Sequence, residues 1–202
     1  MIALLLAGVA AMTPIEAERA FAIDAQVHGQ WTAFRKWAAP DALMFVPEPT
    51  KAQDFLKGRT DPPVSVMWWP AESYSSCDGG FAINTGPWVR GGGRSVGYFT
   101  TVWRRQGKDW RWIYDAGDAL KESRGLADQP KVRTASCKGR PRGANVLGTI
   151  GLRGYHSGGG RSKDGTLVWS WTVTPKGGRH FLAQLWNGAA FDTVVEDKVA
   201  AE

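Results

Sequence analysis

From Thr13 the apolar positions recur at the spacing of a helix, and beyond residue 64 they recur at the spacing of a strand. Thr13-Pro14-Ile15-Glu16 opens the first of these runs with a Thr N-cap, a Pro at the first helical position and a Glu placed to close a capping box. A helix is therefore predicted from Pro14, with Ala20, Ile23, Val27, Trp31, Phe34 and Ala38 as its apolar face, Gly29 as a point of bending and Pro40 as its end. A short strand over 42–46 precedes Pro47 and Pro49, and Thr50-Lys51-Ala52-Gln53 reads as a second capping box opening a brief helix that stops at Gly58. Segments 64–69, 74–77, 81–89, 96–105 and 110–115 read as strands, with turns at Asp78-Gly79 and Gly107-Lys108-Asp109. Helices followed by a meander of antiparallel strands define an α+β unit with the helices on one side of a curved sheet. Further strands are predicted at 146–155, 166–174, 179–186 and 190–195, with Asn187-Gly188 as the tightest turn. They either extend or cover the first sheet, or form a small β-domain of their own.

The first residues follow a different pattern. Ile2 to Ala11 is an apolar run too short to span a bilayer, of the size of a secretory core, and it ends in the small residues Val9-Ala10-Ala11. It reads as a signal peptide over 1–11. No Lys or Arg precedes it, so an ordinary buried helix is the alternative. A cleaved signal makes the protein periplasmic or secreted with no membrane attachment; without one it is cytoplasmic. Cys77 and Cys137, the two cysteines, form a disulfide in the exported case and stay reduced thiols in the cytosolic one. Their separation and the lack of CxxC argue against zinc and thioredoxin-type chemistry. The chain then divides into a first domain over 12–118, a basic loop over 119–145 and a β extension over 146–202.

Composition narrows the function classes. The net charge of +6 is concentrated between Lys121 and Arg142, where seven bases face two acids in a stretch that is poor in large apolar residues and broken by Pro130, Gly139 and Pro141. No aromatic residue interleaves those bases, so the segment reads as a solvated loop and nucleic acid is not a partner. Eleven Trp, eight Phe and four Tyr can fill a β-rich core or line an amphipathic pocket. No GxGxxG, GxxxxGK[ST], HExxH or GxSxG is present, which removes the usual support for nucleotide-phosphate, zincin and serine-hydrolase readings. His28, His156 and His180 are scattered, so no metal site and no cofactor are expected.

Ala17-Glu18-Arg19-Ala20-Phe21, Thr85-Gly86-Pro87-Trp88, Val102-Trp103-Arg104-Arg105 and Trp110-Arg111-Trp112, taken in this order of elements, resemble the nuclear transport factor 2-like superfamily, nearest its SnoaL-like and ketosteroid-isomerase-like bacterial members, over residues 13–118. The resemblance implies a cone of curved antiparallel sheet closed by a long N-terminal helix, a pocket inside the cone, a homodimer through the outer sheet face, and, in catalytic members, metal-free acid/base work on a small molecule. Asp24 and His28, one helical turn apart, are the candidate catalytic pair, against the plainer reading of a solvated helix pair. Asp115 is a third candidate catalytic group. Trp31, Tyr98 and Tyr114 are candidate ligand contacts. In a regular strand Tyr114 and Asp115 point to opposite faces, so at most one of them faces the cone. Two functions stay open: a pocket binding or transforming a small apolar or aromatic molecule, and a non-catalytic module whose extra strands serve a protein partner.

Overall fold

The computed structural model describes residues 11–46, 48–126, 128–146 and 153–201. The expected signal peptide, apart from Ala11, lies outside them. Helix α1 (Pro14–His28) starts as its sequence requires: Thr13 Oγ1 accepts from Glu16 N at 3.2 Å, and the Glu16 carboxylate accepts from Thr13 N at 2.7 Å. The expected single long helix is broken at Gly29, whose φ of 104° lies in a region that L side chains rarely adopt. A second helix, α2 (Gln30–Trp37), begins there, and the Asp61 carboxylate takes the N-cap role from a distance in sequence by accepting from the Trp31 and Thr32 amides. The buried face of α1 is Ala17, Phe21 and Ala25, while Ile23 and Val27 of the expected stripe are exposed. The aliphatic residues suggested the wrong face because the helix buries small residues and one ring beneath a layer of indoles.

Strand β1 (Ala38–Phe45) follows directly and runs through Pro40, then β2 (Pro49–Lys51) and a short α3 (Ala52–Leu56). The second capping box does not form: Thr50 lies in β2, its hydroxyl donates to Glu48 O at 3.0 Å, and α3 has no side-chain cap. Then come β3 (Met67–Trp68), β4 (Glu72–Ser75), β5 (Phe81–Arg90), β6 (Ser95–Gln106) and β7 (Asp109–Leu120). The segment expected to be a solvated loop carries β8 (Lys131–Thr134), which pairs in parallel with β4. The last strands are β9 (His156–Arg161), β10 (Leu167–Val173), β11 (Arg179–Trp186) and β12 (Phe191–Val199). Most of the expected 146–155 strand, residues 147–152, lies outside the described residues, and β9 begins at His156.

The first sheet has the order β2-β1-β7-β6-β5-β4-β8 with β3 on β5, and the second the order β12-β11-β10-β9. One face of the first sheet packs against the helices: Phe21 meets Phe34 and Trp68 at ring separations of 4.8 Å and Trp103 at 6.0 Å. The other face packs against the second sheet, Tyr74, Ile83, Val102 and Tyr114 meeting Trp169, Trp171 and Phe181 in one buried cluster. The C-terminal strands thus cover the first sheet instead of extending it. The face expected to form a homodimer is occupied over these residues by the chain's own second sheet, because its aromatic positions find their partners within the molecule.

The basic segment contributes to this seam. Arg124 reaches between the sheets to Asp197, which is 6% exposed, and stacks with its guanidinium carbon 3.8 Å from the Tyr98 ring centre. Arg133 pairs with Asp192 at 2.8 Å. Two of the seven bases therefore act as inter-sheet ties, which a charge count along the sequence does not distinguish from solvated ones. Cys77 and Cys137 are joined in a disulfide with a Cα separation of 5.3 Å, fastening the turn after β4 to the segment after β8.

Candidate functional site

A register shift in β7 sets the chemistry of the helix-facing side. Val102 pairs with Tyr114 and Trp103 with Trp112, so Ile113 is an extra residue and the alternation reverses across it. Trp110 and Trp112 join the helix-side core, Tyr114 turns to the second sheet, and Asp115 returns to the helix side. A regular strand would have sent Asp115 outward. The bulge therefore places a carboxylate on an otherwise aromatic surface.

There it borders a cleft of about 350 Å³ whose walls include Phe34, Trp68, Trp88 and Phe99, with Gln30 at the helix side. Asp115 Oδ2 accepts from Thr101 Oγ1 at 3.0 Å, and the residue is half-buried. Burial, reinforced by the charge of Glu18, pushes its carboxyl up to about 7. Asp118, further along the same strand, turns its carboxylate to the second sheet, accepting from Arg179 at 3.0 Å and from its neighbour's amide, Ala119 N, at 2.7 Å.

Glu18 lies deeper and was not among the residues singled out for chemistry. It is fully buried, its Oε1 accepting from Trp68 Nε1 at 2.9 Å and its Oε2 from Trp103 Nε1 at 2.6 Å and Asn84 Nδ2 at 3.2 Å. Burial pushes this carboxyl up to about 7 as well, against the pull of its three donors. The signal was legible: Glu18, Phe21 and Ala25 fall at i, i+3 and i+7, so a carboxylate shares the helix face of two buried apolar residues. Asn84 Oδ1 and Trp112 Nε1 are buried without a hydrogen-bond partner among the described residues.

The other candidates sit elsewhere. Asp24 and His28 meet within α1, with His28 Nδ1 2.7 Å from Asp24 Oδ1, but neither lines the cleft. Asp24 is 7% exposed and also accepts from Trp37 Nε1 at 2.8 Å and Lys36 Nζ at 2.8 Å, whereas the His28 side chain is 63% exposed. Burial would raise the Asp24 carboxyl, but the bonds from Lys36, Trp37 and His28 hold it below the usual carboxylate range. Asp24 thus ties α1 to α2 across the Gly29 break through Lys36 and Trp37, and His28 bonds it from within α1. Trp31 packs on Phe34 and Phe55 at 5.7 and 5.9 Å, outside the cleft. The Tyr98 and Tyr114 rings lie between the sheets, under Arg124 and against Phe181, and burial pushes the Tyr98 phenol up to about 12. Only the Tyr98 backbone reaches the helix side, its carbonyl accepting from Trp88 Nε1 at 2.9 Å. Among the described residues no group of three or more His, Cys, Asp or Glu could hold a metal ion, and no helix is long and apolar enough to cross a membrane.

The architecture is a mixed α+β one, a curved and mostly antiparallel sheet with few helices, and solved structures of ketosteroid-isomerase-like and related folds are among those the chain is similar to. A candidate ketosteroid isomerase from Parabacteroides distasonis is 16% identical, with 54% of this chain and 89% of that one covered and a TM-score of 0.45. The CamKII hub homology domain of Chlamydomonas reinhardtii is also 16% identical, covering 52% and 94% at a TM-score of 0.39. A cystatin-like fold protein from Burkholderia xenovorans is 12% identical, covering 52% and 91% at a TM-score of 0.37. No family model matches the chain, and no curated protein matches it.

Proposed function

We propose that the cleft holds a small apolar or aromatic molecule and that Asp115 moves a proton on it, in an isomerase-like reaction of an exported protein. One observation carries this reading: a carboxyl poised near 7 borders an aromatic cleft of small-molecule size. At neutral pH such a group is present in both protonation states, so it can take a proton from carbon and return it. The walls of Trp68, Trp88 and Phe99 bind by apolar contact and leave orientation to the few polar groups. The Cys77–Cys137 disulfide supports the periplasmic or secreted setting.

A binding role without chemistry is the second reading. Glu18 is fully buried under its donors Trp68, Trp103 and Asn84 and does not line the cleft, which leaves Asp115 as the carboxyl that can meet a ligand. Deuterium exchange next to the carbonyl of 2-tetralone, a bicyclic ketone, separates the two. Catalysis gives exchange above the buffer rate that rises with pH through about 7 and falls by a factor of at least about 100 in Asp115→Asn. Binding of the ketone without accelerated exchange supports the second reading, and neither binding nor exchange defeats both.

A further inference from the structure

The cleft carries a cation with no carboxylate partner among the described residues. Arg104, Arg124, Arg133 and Arg179 each pair with a carboxylate, at Asp41, Asp197, Asp192 and Asp118. Arg90 lines the cleft and makes no ion pair among the described residues. It closes β5 at the turn beginning with Gly91, and its guanidinium carbon lies 5.9 Å from the centre of the Trp88 ring, itself a wall of the same cleft. Asp118 turns its carboxylate to the second sheet, where Arg179 holds it, and Asp115, the acid of the cleft, accepts from Thr101 and makes no ion pair among the described residues. The ligand side of Arg90 is thus an exposed fork of donors beside an indole face.

An unpaired guanidinium next to aromatic walls is complementary to a carboxylate carried on a flat apolar ring. We infer that the cleft selects an aromatic carboxylate, its ring against Trp68, Trp88 and Phe99 and its carboxylate on Arg90. This rests on the reading of the cleft as a small-molecule site and adds the charge of the molecule to it. Gln30, whose Oε1 accepts from Val66 N at 3.1 Å, fixes the helix-side wall and contributes no opposing charge.

The test is calorimetric titration of the full chain with 1-naphthoate and with 1-naphthylmethanol, which shares the ring system and lacks the charge. Naphthoate binds more tightly to the unaltered protein, and Arg90→Gln weakens it about fivefold, the upper range for an exposed ion pair, while the alcohol is unaffected. Arg90→Lys restores part of the loss, and salt at about 0.5 M removes most of the preference for the anion. Equal affinities for the two probes, or an Arg90→Gln protein that keeps the preference, overturn the inference and leave the small-molecule reading standing. Failure of both probes to bind overturns the two together.

Discussion

Replacing Glu18 by Gln tests the buried carboxyl beneath the cleft. Glu18 is fully buried, and its pKa stands at about 7 against an ordinary 4.5. A carboxyl whose folded-state pKa is raised stabilises the fold, relative to its charged form, at pH below 4.5 and loses that contribution as pH climbs through about 7. A shift of this size corresponds to about 3 kcal/mol across the window. Gln cannot ionise, but its amide nitrogen must face one of the indole N–H donors of Trp68 and Trp103, which costs about 1–3 kcal/mol at every pH. That constant term cancels when the difference between the two proteins is followed with pH. Urea unfolding monitored by tryptophan fluorescence at several pH values between about 5 and 8 should show the variant less stable at the acid end and gaining on the natural protein by about 3 kcal/mol toward the alkaline end. A difference that stays flat over that range would mean that Glu18 does not titrate there, and the account of the buried pair would fail.

Other outcomes follow from the same geometry. His28→Ala should lower stability by no more than a few tenths of a kcal/mol and leave both probe binding and ketone exchange unchanged, because the imidazole is largely exposed and Asp24 keeps its bonds from Lys36 and Trp37; a tenfold loss in either readout would return His28 to the site. Removing the disulfide by Cys77→Ser together with Cys137→Ser should destabilise by about 4 kcal/mol in the chain-entropy treatment of a loop this long, read from the urea midpoint. Gly158→Ala should cost about 1–3 kcal/mol through overpacking, since its new carbon would stand 2.6 Å from the Trp171 ring; a neutral effect on thermal unfolding would show that β9 is not pressed against that indole.

Local signals carried much of the fold. The capping box at Thr13, the hairpins between β5 and β7, and the cysteine pair each depend on residues near in sequence or on a single pairing choice. What escaped depends on long-range contacts. Gly29 looked like a bend, and becomes a helix boundary because the Asp61 carboxylate caps α2 from outside the run. Ile23 and Val27 looked like the core side of α1, and are exposed because the indoles of Trp68 and Trp103 need Glu18 and Phe21 beneath them. Asp115 and Tyr114 exchanged faces through one extra residue at Ile113, which no periodicity along β7 announces. Arg124 looked like part of a solvated charge run, and its partner Asp197 is supplied by the last strand.

The most direct test of the central claim is the titration of Asp115 itself, by carboxyl carbon NMR of protein labelled at Asp, with Asp115→Asn to assign the resonance. The account predicts one Asp resonance with a midpoint near 7, absent from the variant, whose midpoint and shift move when 1-naphthoate or 2-tetralone is added. An Asp115 that titrates in the ordinary carboxylate range, or that is untouched by both compounds while they bind, would contradict it.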